Sequence, residues 1–161
     1  MATNNLALAI REQGRDEEAV PMFSETAERL ERSRGPENWE TLNTTLNLAI
    51  TLSRLGRYQE AESLARRVVD AYRRNQGDDH WATLEAVRDL AAVRERQGGF
   101  DEAASLFREV FDRRTRLYGP EHHDTIAAGS DVSRVLGLLG HLDEADPLPN
   151  EPGRSAGVSE P

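Results

Sequence analysis

The chain has 161 residues, 37% hydrophobic and 30% charged, a polar balance that suits one domain of thin, high-surface helical build. Its 20 bases against 29 acids give a formal net charge of −9, so the chain as a whole has no electrostatic pull toward nucleic acid or an anionic membrane. There is no cysteine, which excludes disulfides, thiolate metal sites and a cysteine nucleophile.

Every base is arginine, a choice that favours rigid, two-pronged contacts wherever bases meet carboxylates. No apolar run approaches the roughly 18 residues of a membrane span, and Met1 to Asn5 lacks the basic and apolar regions of a signal peptide. A cytoplasmic location is the expectation.

In chain order, single glycines punctuate the sequence at a fixed step. Gly14, Gly56, Gly98 and Gly140 stand 42 residues apart, and the same step links Ala19, Ala61, Ala103 and Ala145, and Glu18, Glu60, Glu102 and Glu144. Further registers are Gly35, Gly77 and Gly119; Thr41, Thr83 and Thr125; and Ala7, Ala49 and Ala91, continued by Ser133. Several independent registers without an insertion establish an internal repeat.

Each register has a physical task. The first glycine series closes one helix and opens a turn, and the alanine five residues later begins a second helix with a side chain small enough for close approach. The second series stops that helix, with Pro36 and Pro120 just beyond it. Between the stops the apolar spacing is helical. Ala61, Leu64, Ala65, Val68, Val69 and Tyr72 follow one face, as do Ala103, Leu106, Phe107, Val110, Phe111 and Leu117. The first helix of the unit, with Leu42, Leu46, Leu48, Ala49, Ile50, Leu52 and Leu55, is apolar over a wider arc and is expected between neighbours.

Three pieces of text carry a family resemblance: Asn47-Leu48-Ala49, the run LGRYQEAESL from Leu55 to Leu64, and GPEHHDTI from Gly119 to Ile126. They resemble the tetratricopeptide repeat, in the 42-residue form of kinesin light chains and of many bacterial, notably actinobacterial, regulatory proteins. The resemblance implies an all-α, right-handed superhelical solenoid of antiparallel helix pairs, about three and a half repeats in seven helices. The units run 1–38, 39–80, 81–122 and, in part, 123–146. The last ends in a capping helix, roughly Thr125 to Leu139, because Pro147 and Pro149 block its partner, and a Pro/Gly/Ser-rich tail over 147–161 is expected to be disordered.

The family's His-Pro-Asp at each unit start is replaced by Asn38-Trp39-Glu40, His80-Trp81-Ala82 and His122-His123-Asp124. Trp39 and Trp81 therefore lie one repeat apart on one edge, either packing over the joint between repeats or offering an aromatic ridge to a partner. His80 and His122 are expected to cap helix starts. Adjacent side chains on a turn point apart and no further ligand motif accompanies His122-His123-Asp124, so no metal or other cofactor is expected. Neither a phosphate loop nor a nucleophile motif is present, and the chain reads as non-catalytic.

The resemblance also implies a binding surface, a concave groove walled by the first helix of each pair. Carried over residue by residue, it comprises Asn5, Leu8, Arg11, Asn43, Leu46, Asn47, Ile50, Arg54, Glu85, Arg88, Asp89, Arg96, Asp131 and Arg134. An extended protein or peptide segment of mixed charge is the expected occupant. In the alternative reading the chain is a structural arm of a larger, nucleotide-switch type bacterial regulator, or self-associates. Leu6 and Ile10, on a first helix with no preceding repeat to cover them, would then make a homo-oligomer contact.

Overall fold

The computed structural model describes residues 2–140. Among them lie seven helices: α1 Ala2–Glu12, α2 Asp16–Arg34, α3 Trp39–Arg54, α4 Tyr58–Gln76, α5 Trp81–Arg96, α6 Phe100–Tyr118 and α7 His123–Leu139. The expected all-α class and helix number hold. The tail over 147–161, the stop at Pro147 and Pro149, and the register positions Glu144 and Ala145 lie outside the described residues.

Each helix packs on the next in sequence, and α1 also touches α3, as α3 touches α5. The first helices of successive units thus stand side by side as one wall, with the second helices behind them. The alanine registers sit where helices cross: Ala7, Ala49, Ala91, Ala19, Ala61 and Ala103 have no exposed surface. Large side chains fill the spaces between. Phe23 lies with Leu48 and Leu52 at one end, Tyr72 with Leu84 and Val87 in the middle, and Phe107 with Val132 and Val135 at the other end.

The unit starts share one device. At Asn38, His80 and His122 an extended residue precedes the helix, and its side chain accepts a hydrogen bond from the backbone N–H two residues on, at 3.0, 3.2 and 3.3 Å. For the histidines the acceptor is Nδ1, so each imidazole serves in its neutral form. The expected capping role is what the geometry shows.

The turns are equally regular. Gly56 has φ of 77°, its N–H donates to the Ser53 carbonyl at 3.2 Å, and that of Arg57 reaches back to Leu52 at 3.0 Å. That pair of bonds is the Schellman end of a helix, which needs a left-handed residue at its hinge. Gly98 with Gly99 repeats it at the next unit. The second glycine series adopts a different conformation: Gly77 has φ of 83° and ψ of 169°, a region open in practice to glycine alone. Its carbonyl accepts from the buried Thr83 hydroxyl at 2.7 Å, as that of Gly35 does from Thr41 at 2.9 Å. Thr41 and Thr83 therefore lock the links into the second and third units, whereas the buried Thr125 hydroxyl makes no such bond among the described residues.

A Cβ at Gly77 would meet nothing within 4 Å, so strain there is purely a matter of backbone angles. Gly77→Ala should destabilise the domain by about 1–3 kcal/mol in urea unfolding, with an unchanged helical spectrum.

Candidate functional site

The wall of first helices carries most of the expected groove residues, and a good part of them bond to one another. At the α1 end Arg11 donates to the Asn47 side-chain oxygen at 3.1 Å, and the Asn47 amide donates to Asn43 at 3.2 Å. Arg11 also stands over the Phe23 ring, 5.8 Å from its centroid. At the α7 end Arg88 donates to Asp131 at 2.6 Å, Arg134 reaches the same carboxylate at 3.2 Å, and Arg134 also pairs with Glu95. One end of the wall is a chain of amides and the other a chain of ion pairs.

Other expected groove residues have different surroundings. Leu46 is 7% exposed and belongs to the core, while Ile50 packs half-buried against the same cluster. Leu8 is likewise half-buried over the Phe23 cluster. Arg54 is held by Asp16 at 2.9 Å. The reason is period: on a helix greasy over a wide arc, positions three and four from an inward residue already face a neighbouring helix. Asn5, Asp89 and Arg96 make no hydrogen bond or ion pair among the described residues.

Asp89 sits between the two chains. Burial, and then the negative charge of Glu85 one turn earlier, raise its carboxyl from 3.8 to about 6, against the opposing pull of Arg88, Arg11 and Arg96.

Along the edge, both tryptophans lie largely in solvent, Trp39 at 59% and Trp81 at 65% exposure, so neither is buried over the joint between repeats. Beside them lie two cavities one repeat apart. A cavity of about 250 Å³ is lined by Asn4, Leu30 and Trp39 among others, and one of about 340 Å³ by the equivalent Leu46, Tyr72 and Trp81. In the third unit the position of Leu30 and Tyr72 is taken by Arg114, which is 5% exposed, pairs with Glu85 and donates to the Asp124 carbonyl at 3.3 Å. Sequence reading passed over Arg114. The signal was there, since stepping 42 from Tyr72 lands on it.

The expected splaying of His122 and His123 does not occur. Their ring centroids are 4.4 Å apart, Tyr118 lies 4.9 Å from His122, and ligand atoms of His122, His123 and Asp124 fall within 4.8 Å of one another. Extended backbone at His122 followed by helix at His123 turns the rings to the same side. The His122 Nδ1 is engaged as the α7 cap, and the positive end of the helix dipole disfavours a cation there.

Helix pairs stacked in one file, each touching little beyond its neighbours, define a solenoid repeat protein, a class that generally serves as a scaffold for protein interactions. The profile of the tetratricopeptide repeat matches residues 1–74 and 82–148. The chain belongs to that family. Among solved structures it is similar to nearly identical TPR-like repeats of a kinesin light chain-type protein from Podosopora anserina, with TM-score 0.82 and 23% identity over 89% of this chain and 68% of that one. A singly substituted form of the same protein gives TM-score 0.81 at 23% identity, with the same coverage of 89% and 68%. BtubC (BKLC) from P. vanneervenii gives TM-score 0.80 at 15% identity, over 99% of this chain and 69% of that one. These likenesses establish the fold, kinesin light chain-like in form. No curated protein matches the chain.

The family is generally non-catalytic, and among the described residues no helix is long and apolar enough to cross a membrane. Asp89 gives a test of the wall's electrostatics. The folded chain holds the Asp89 proton more tightly than the unfolded one, so its stabilising share is complete below about pH 3.8 and lost as pH rises through about 6. Above that pH the ionised carboxylate weighs against the fold. Asp89→Asn should therefore raise the stability near pH 8 on the order of 1–2 kcal/mol, after discount for partial exposure, and the gain should vanish near pH 4. Thermal melts of both proteins across that range check it.

Proposed function

We propose that the wall of first helices is the concave groove of a non-catalytic scaffold and receives an extended peptide segment of a partner protein. The observation that carries this reading is the incomplete pairing of the wall. After the amide chain and the ion-pair chain have formed, Asn5, Asp89 and Arg96 still present unengaged polar groups on three positions of the same face. An extended peptide has a backbone donor and acceptor at every residue, and an amide side chain can meet both. Arg96 is exposed at the α5 end and offers a charge-assisted contact to an acidic residue of the peptide.

A second reading rests on a separate observation. Leu6 is 54% exposed on the outer face of α1, where no other described helix covers it, and this supports self-association or docking within a larger regulator. Ile10 does not share that position, because it packs half-buried on the Ala7 and Phe23 cluster.

Arg96→Glu should weaken binding of a partner captured on the immobilised domain by about tenfold or more, and Asn47→Ala by less, with both proteins still folded and melting cooperatively. Equal affinity for the native and Arg96→Glu proteins would remove the groove assignment. For the second reading, light scattering should show an assembly that Leu6→Glu dissolves. A monomer indifferent to that change counts against self-association.

A further inference from the structure

Two aspartates stand in the inward register of the wall, and only one of them is paired. Asp131 is gripped by Arg88 at 2.6 Å and by Arg134 at 3.2 Å. Asp89 makes no hydrogen bond or ion pair among the described residues, although it is half-buried. Its carboxylate is nevertheless open to a group arriving at the wall. The Thr26 hydroxyl, at the register of the buried Val68, is also unpaired but is sealed beneath the surface, whereas neither Asp89 oxygen is. A half-buried carboxylate loses hydration, and with both oxygens free it receives nothing in return.

The charged groups that face Asp89 are Glu85, Arg88 and Arg96 on its own helix and Arg11 on α1, while the inward positions of α3, Asn43 and Asn47, are neutral. None of the three arginines touches it. Arg11 is drawn to the Asn47 oxygen at 3.1 Å and lies over the Phe23 ring, and Arg88 is turned toward α7 and Asp131. Arg96 is exposed two turns further along α5, about 10 Å up the helix axis. Glu85, one turn before, is already held by Arg114. The arginines therefore soften the charge from a distance. Burial and Glu85 outweigh them, and the carboxyl keeps its proton up to about 6.

We infer that Asp89 is the seat for an arginine side chain of the partner peptide, a reading that rests on the groove function proposed above. A guanidinium presents two N–H groups in a fixed fork, and the fork matches the two free oxygens of one carboxylate. It is also more weakly hydrated than an ammonium, so it loses less on reaching a half-buried acid. The seat belongs to the third unit alone, because Asn5 and Asn47 hold amides at the same register and Asp131 has its own arginines. Arg96, seven residues on, returns to the same face of α5. A segment lying along that helix thus meets an unpaired acid and an unpaired base, and it carries the opposite charges, an arginine and an acidic residue.

Binding at this seat is coupled to the Asp89 proton, and the coupling is what the experiment reads. A guanidinium on the carboxylate favours its ionised form, so an arginine probe binds more tightly as pH rises through about 6 and, reciprocally, lowers the pH at which Asp89 ionises. In NMR titrations of the full chain, followed by the Asp89 side-chain carboxyl carbon, the probes are acetyl-Ala-Arg-Ala-amide, its citrulline and lysine analogues, and guanidinium chloride. Sodium chloride holds the ionic strength equal throughout. The arginine peptide should bind saturably, about threefold or more tighter near pH 8 than near pH 4, and ahead of the lysine peptide. The neutral citrulline peptide should leave the Asp89 ionisation where it was. Asp89→Asn, which installs the side chain of Asn5 and Asn47, should keep the fold and bind the arginine peptide equally weakly at both pH values. An Asp89 ionisation that the arginine peptide does not move, an equal effect of citrulline or lysine, or a pH dependence that survives Asp89→Asn would each overturn the seat. Guanidinium ion as effective as the arginine peptide would overturn the peptide as its source. The tripeptide does not reach Arg96. A captured partner indifferent to Arg96→Glu therefore sinks the groove while the seat stands, whereas an arginine peptide indifferent to Asp89→Asn sinks the seat alone.

Discussion

Close approach of helix backbones at six alanines governs this molecule. Ala7, Ala49 and Ala91 on first helices, with Ala19, Ala61 and Ala103 on second helices, have no exposed surface, and in a close-packed interior a larger side chain there would displace its neighbours. In a solenoid each helix is positioned only by its neighbours, so a wider spacing at one crossing would tilt every helix after it. The larger core residues adjust to this spacing and do not set it. One register reads Phe23, Ala65 and Phe107, and beside the small middle member Leu64 packs against both adjoining clusters. The spacing is strict where backbones meet and tolerant where side chains fill.

Behind the wall of first helices, arginine couples the repeats. Local clamps hold the first two units: Arg15 grips Glu18 through two nitrogens at 2.7 and 2.6 Å, and Arg57 grips Glu60 at 2.8 and 2.7 Å. The third unit lacks its clamp because Gly99 stands where the arginine would be. Glu102 turns instead to Arg66 and Arg94, which also share Glu62, so four side chains join α4, α5 and α6. A Cβ on Gly99 would come within 2.8 Å of the Arg94 guanidinium, so the glycine makes room for the network. An exposed pair alone adds little to stability, whereas a shared network on a rigid frame fixes how one repeat sits on the next.

The parts of this architecture legible in the sequence are those in which one residue does one task. Glycine at a left-handed turn and alanine at a crossing can be read from their step of 42, because no other residue serves there. The threonine register was visible without its reason, since a hydroxyl bonded to the Gly35 or Gly77 carbonyl is a contact between units. Trp39 and Trp81 open their helices, where helical periodicity says nothing about burial. Thr26 and Arg114 escaped because a polar residue in an apolar pattern looks like an interruption until its register mates, Val68 and Tyr72, are set beside it. Leu46 erred the other way, as the family's groove position carries over while the side chain there has joined the core.

The wall of first helices changes character along its length, and the change falls between α3 and α5. In the first units the inward register is asparagine, and Asn47 accepts from the Arg11 guanidinium and donates to Asn43, so Arg11 is the one charged member of that chain. From Asp89 onward the register is aspartate, and the wall is held by ion pairs such as Arg88 with Asp131. Contacts between neutral amides discriminate by geometry and depend little on salt, whereas ion pairs weaken as ionic strength rises. Asp89 stands at the join, with Glu85 before it and arginines on either side, and its carboxylate completes neither chain. An asparagine there would extend the amide chain, and an arginine partner would extend the ionic one. The residue present does neither, which leaves a half-buried negative charge midway along the wall of first helices.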